Sequence, residues 1–213
     1  MLQTQTVKNS TLELLLILMQ DHMLSNFVLV GGTALALQIG HRDSIDLDLF
    51  SKDPFDENKL YIHLEKLYGF KQDFLDRNTL KGEINGVKVD FMTHAYPNVQ
   101  DDLVLQNIRM ASLPDIAAMK LNAIIGNGTR IKDFIDVAYL SSILSLSDMQ
   151  KAYSHKYPAS NPVMVPKALI FHGDINFKEP IKMIKGSLKW ELIKGRLLDM
   201  INNPLTIFPP IVS

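Results

Sequence analysis

Apolar residues in the first half of the chain fall in short blocks separated by glycine, proline and charge. The run from Leu12 to Leu18 predicts a helix over about 10–22, opened by Ser10 with Glu13 three residues on, a capping-box pattern. Phe27-Val28-Leu29-Val30 is aromatic and β-branched and predicts a strand. Gly31-Gly32 breaks it, residues 33–39 read as a helix stopped by Gly40, and residues 45–50 return to strand. A helix over about 56–68 follows Asp53-Pro54, then strands over 70–75 and 79–84. Asn85-Gly86 is the strongest hairpin signal and predicts antiparallel pairing of 79–84 with 87–92.

The pattern changes near Leu113. Ser112-Leu113-Pro114-Asp115 offers a cap, an early proline and a first-turn acid, and predicts a helix to about Ile125, broken by Gly126-Asn127-Gly128. Further helices are expected over about 130–143, 147–157, 163–171 and 181–201. The expectation is therefore α+β: a small mixed β-sheet core with flanking helices over 1–110, then a helical part over 111–213.

Composition changes this picture little. With 213 residues and 46% hydrophobic content, the chain can bury a substantial core. A net charge of −1 gives no global attraction to nucleic acid, so such contact needs a local basic patch. The absence of cysteine excludes disulfides and thiolate metal sites and suits a reducing cytoplasm. The N-terminus lacks the basic-then-apolar plan of a secretion signal, and the Leu12–Leu18 run is far shorter than a membrane span. A cytoplasmic protein without a membrane segment is expected.

Candidate chemistry sits in the stretch FVLVGGTALALQIGHRDSIDLDLF. On a strand, residues two apart share a face roughly 6.5–7 Å apart. Asp46 and Asp48 are therefore expected to point together, with Ile45, Leu47 and Leu49 facing a core. Two carboxylates on one face repel unless a cation lies between them, and hard oxygen ligands suit Mg²⁺. The alternative is a solvated strand edge. Gly31-Gly32-Thr33 lies between a strand and a helix, where backbone amides and the Thr33 hydroxyl can face an anion; the alternative is a plain tight turn. Asp90 can complete a triad if its strand adjoins 45–50, or simply pair with Lys88. Arg42 can pair with Asp43 or Asp46, or reach a triphosphate.

Gly31-Gly32-Thr33 followed by His41-Arg42-Asp43-Ser44-Ile45-Asp46-Leu47-Asp48-Leu49-Phe50 resembles the AbiEii-type nucleotidyltransferase toxins, of the polymerase-β-like superfamily. The superfamily order is a strand, paired small residues, a helix, a DxD strand and a later strand with a third acid, and each part stands here in order. The resemblance is firm over roughly residues 24–93. It extends to Lys120 and to the cluster Arg130-Ile131-Lys132-Asp133-Phe134-Ile135-Asp136, which otherwise read as a snorkelling lysine and surface helix pairs.

The resemblance implies a nucleoside triphosphate held by Gly31, Gly32, Thr33, Arg42 and Lys120, with two Mg²⁺ ions on Asp46, Asp48 and Asp90. Lys120 and Asp133 join the catalytic set, with Asp136 orienting them. It further implies an acceptor hydroxyl, RNA or tRNA ends among the options, and a cognate antitoxin. The tail holds a basic cluster of Lys178, Lys182, Lys185, Lys189, Lys194 and Arg196, and the first four fall three or four apart, a helical face that could track phosphates or be merely solvated. A small-molecule nucleotidyltransferase and a non-catalytic nucleotide- or partner-binding protein are the alternatives.

Overall fold

A computed structural model of the chain describes residues 1–184 and 186–211. The fold is α+β, as expected. Among the described residues the strands are β1 (Val28–Val30), β2 (Leu47–Ser51), β3 (Lys71–Asp76), β4 (Thr79–Ile84), β5 (Val87–Thr93), β6 (Leu103–Leu105) and β7 (Ile108–Met110). The helices are α1 (Asn9–Gln20), α2 (Gly31–Ile39), α3 (Glu57–Tyr68), α4 (Leu113–Gly126), α5 (Ile131–Leu140), α6 (Leu146–Lys156), α7 (Met164–Ile170) and α8 (Trp190–Asn202). The chain divides into two compact units, one of Met1–Tyr96 with Asp102–Ala111, the other of Pro97–Asp101 with Ser112–Ser213.

The first unit holds one sheet in the order β3-β4-β5-β2-β1-β7-β6. β1 runs antiparallel to β2 and parallel to β7, and β2 runs parallel to β5. Period-two alternation sorts the faces. Leu29, Leu47, Leu49, Leu80, Ile84, Val89 and Phe91 are buried on one face, whereas Asp48, Lys81, Lys88 and Asp90 belong to the other. Phe27 and Phe70 meet Phe91 edge-on within the core. Asn85-Gly86 closes the β4–β5 hairpin, and the positive φ of both residues explains why these two fit.

Four local differences from the sequence-based expectation have physical causes. Helix α1 starts at Asn9 with an extended Lys8 before it and no side-chain cap, so Ser10 lies inside the helix and the capping box does not form. β2 starts at Leu47, and Ile45 is 52% exposed and not in the core. The hairpin β6–β7 escapes the pattern because its turn is Gln106-Asn107, both at positive φ without a glycine. Its Arg109 donates to the carbonyls of Met19, Leu24 and Phe27 at 2.8, 3.0 and 3.1 Å, pinning the turn that leads into β1. Finally, α8 begins at Trp190; among the described residues 171–189 no helix forms, since Pro180 and a left-handed Gly186 interrupt it. The expected helical face of lysines is thus absent for Lys178, Lys182 and Lys189, and Lys185 lies outside the described residues.

In the second unit, α4 is capped by Ser112, whose hydroxyl accepts from the Asp115 amide. Asp115 also receives the Lys156 ammonium at 2.8 Å and the amides of Val99 and Gln100, fastening segment 97–101. Phe134, His172, Phe177 and Trp190 form an edge-to-face ring cluster.

Candidate active site

β1 ends where α2 begins, and antiparallel pairing sets Val30 opposite Asp48. The Asp48 side chain therefore comes to lie over Gly31, at the amino end of α2. A Cβ on Gly31 would overlap the Asp48 carboxylate, and Gly31 takes φ +69°, so both space and backbone require glycine there. The preceding residue, Val30, offers no side-chain cap, so the helix presents backbone donors and the positive end of its dipole toward a carboxylate or another anion. Against Gly32 lies the Arg42 guanidinium, within 2.6 Å of where a Cβ would stand. Arg42 is buried and donates from Nη1 to the Asp43 carbonyl at 3.0 Å.

Thr33 is also buried. Its hydroxyl donates to the Asp46 backbone carbonyl and lies 2.8 Å from Ser44 Oγ, so it fastens the approach to β2. Asp46 itself precedes the strand and is exposed. The β2–β5 register sets Asp48 directly abreast of Asp90 on one face, about 4.8 Å apart along the ladder. Asp90 does not pair with Lys88. Its partner is Lys81, opposite it on β4, with Nζ 3.0 Å from Oδ2. The sequence holds the signal for that pairing: counting back from the Asn85-Gly86 turn sets 84 against 87 and hence 81 against 90.

Lys120 and Asp133 belong to the second unit, on α4 and α5. The Lys120 ammonium does not snorkel: it is 6% exposed and lies 2.6 Å from Asp133 and 2.7 Å from Asp136, both buried. Asp133 Oδ2 takes no hydrogen bond and faces Arg130 Nε at 3.7 Å, the expected i,i+3 pair. Lys132 pairs with Glu179 at 2.9 Å. Two buried carboxylates around one ammonium make this the most densely charged part of that unit's interior.

Among the described residues no three His, Asp or Glu side chains are grouped to hold a metal ion. The donor set is nonetheless all-oxygen, and Asp48 occupies a cradle that only glycine leaves open, so the residues fit a hard divalent cation that completes its shell with water and phosphate.

A strand, a glycine pair opening a helix, an antiparallel strand carrying Asp48 and a parallel third strand with an aligned acid make up the fold, and the class is nucleotidyltransferase. The chain belongs to the AbiEii family: the model for the nucleotidyl transferase AbiEii toxin of type IV toxin–antitoxin systems matches residues 13–99 and 84–203. An uncharacterised protein of Aquifex aeolicus (strain VF5) is 31% identical over 159 residues, 70% of this chain and 75% of that one. MenT4, a nucleotidyltransferase toxin from Mycobacterium tuberculosis H37Rv, shares the fold with a TM-score of 0.57 at 14% identity, over 88% of this chain and 82% of that one. JHP933 from Helicobacter pylori does so with 0.54 at 16% identity, over 92% of each. Among the described residues no helix is long and apolar enough to cross a membrane.

Proposed function

We propose that the chain moves a nucleoside monophosphate from a nucleoside triphosphate to an RNA hydroxyl, with Mg²⁺, as the toxin of a type IV toxin–antitoxin pair in the cytoplasm. The observation that carries this reading is the Asp48 carboxylate lying over Gly31 and abreast of Asp90. The amides at the start of α2 hold triphosphate oxygens, with the Arg42 guanidinium beside Gly32 adding positive charge. Asp46 and Asp48 would hold one Mg²⁺ and, together with Asp90, a second; the ions supply neutralisation of triphosphate charge. In-line attack of the acceptor hydroxyl on the α-phosphorus forms the new phosphodiester, breaks the α–β phosphoanhydride bond to expel pyrophosphate, and releases the hydroxyl proton to solvent. Thr33 serves by holding the Asp46 backbone. The family motif gives Lys120 and Asp133 a catalytic part, with Asp136 orienting them; within the second unit the three form one buried network.

RNA is favoured as acceptor by the stretch before α8. Phe177 is 54% exposed beside Trp190, with Lys178, Lys182 and Lys189 in the same segment, a combination of ring faces and ammonium groups suited to unpaired nucleotides. The test supplies labelled triphosphates and Mg²⁺ to the protein with total RNA or with small hydroxylated acceptors. Label in RNA, tRNA included, and release of pyrophosphate are expected. Label only in small molecules overturns the acceptor, and absence of pyrophosphate overturns the chemistry. Changing Lys178, Lys182 and Lys189 to glutamate is expected to weaken RNA binding and flatten its salt dependence. An unchanged salt slope rejects that surface.

A further inference from the structure

Lys81 stands on the acidic face but in none of the motifs that carry the family resemblance. The registers of three strand pairs place Lys81, Asp90, Asp48 and Val30 in a single row across β4, β5, β2 and β1. Asp90 thus has an ammonium on one side and a carboxylate on the other. The ion pair at 3.0 Å is partly open, with the two side chains 38% and 27% exposed. Lys88, the nearest lysine in sequence, stands opposite Glu83 instead.

Adjacent carboxylates disfavour each other's charged form, and a neighbouring ammonium reverses that bias. A lysine on a flexible stem at the solvent edge can also swing away from its partner without breaking the core. We propose that Lys81 is a positioning residue: it serves Asp90 as a built-in counter-ion that a divalent cation must displace, and so sets the cation concentration at which Asp90 engages. This rests on the metal-dependent transfer reading above.

Manganese binding measured directly by electron paramagnetic resonance, without nucleotide, is the test. Lys81→Met keeps the stem and removes the charge. Its weaker Mn²⁺ site is expected to tighten by about tenfold, the scale on which one charge within 4–6 Å biases a carboxylate. Lys81→Arg should restore the wild-type affinity, and Asp90→Asn combined with Lys81→Met should lose the gain. The Mg²⁺ concentration for half-maximal transfer should fall in Lys81→Met by the same factor. Equal Mn²⁺ affinity in wild type and Lys81→Met, with only the melting temperature altered, overturns the proposal. If Asp48→Asn still abolishes transfer in that case, the transfer reading stands without it; metal-independent transfer by every variant overturns both.

Discussion

A single methyl group is the sharpest probe of the site. Gly31→Ala would push a Cβ into the Asp48 carboxylate at a positive φ, so it is expected to cost about 1–3 kcal/mol in a thermal melt and to lower transfer. Asp48→Asn keeps the shape and removes the charge. It should cut nucleotide transfer at least about a hundredfold with little change in melting temperature, because the eased crowding with Asp90 offsets a weaker attraction to the start of α2. Transfer at the wild-type rate by Asp48→Asn would refute the assignment. The strand–glycine–helix order and the place of Asp48 on β2 were legible because strand and helix periodicity act over a few residues, whereas the start of β2 after Asp46 was not. Lys81 was readable only by counting the hairpin register back from Asn85-Gly86, and Arg109 was not readable, since its partners lie 82 to 90 residues away.

At the scale of elements, α4 carries two buried lysine–carboxylate networks, and they predict different things. Lys120→Met leaves Asp133 and Asp136 buried without their ammonium, and is expected to destabilise the fold by about 3–5 kcal/mol by chemical denaturation. The second network predicts a loss of stability in the acid range. Burial alone would raise the Asp115 carboxyl, but the Lys156 ammonium, the Ser112 hydroxyl and the Val99 and Gln100 amides outweigh it and hold the group below its usual value. A depressed folded value means that the stabilisation is full above the unfolded value near 3.9 and is lost as pH falls through the lower folded one. Melting temperatures from pH 6 to 3 should therefore drop at the acid end, and Asp115→Asn should be less stable at pH 6 with a shallower acid slope. An unchanged slope would show that other carboxylates govern it. Among the elements, the extent of α8 was the least legible, because its charged residues keep a helical spacing that Pro180 and Gly186 override. The 103–110 hairpin lacked a glycine to announce it.

Across the whole molecule, the chain leaves the first unit after Tyr96, returns at Asp102 and leaves again after Ala111. Residues 108–110 supply β7, which pairs with β1, and the Ala111 amide donates to Leu29 at 3.0 Å. A fragment of residues 1–111 is expected to be soluble and folded by circular dichroism, whereas 1–100 should aggregate; equal behaviour of the two would contradict the division. The change of pattern near Leu113 suggested a boundary at 110/111, and the return of 102–111 was not legible, because it depends on a pairing with β1 some 80 residues earlier. On the ribosome the last arrival is an inner strand. Until Met110 emerges, the strand that leads into Gly31 is a bare rim open to any passing chain. A nascent chain of this design therefore leaves the edge beside Asp48 uncovered until the 108–110 strand has been made.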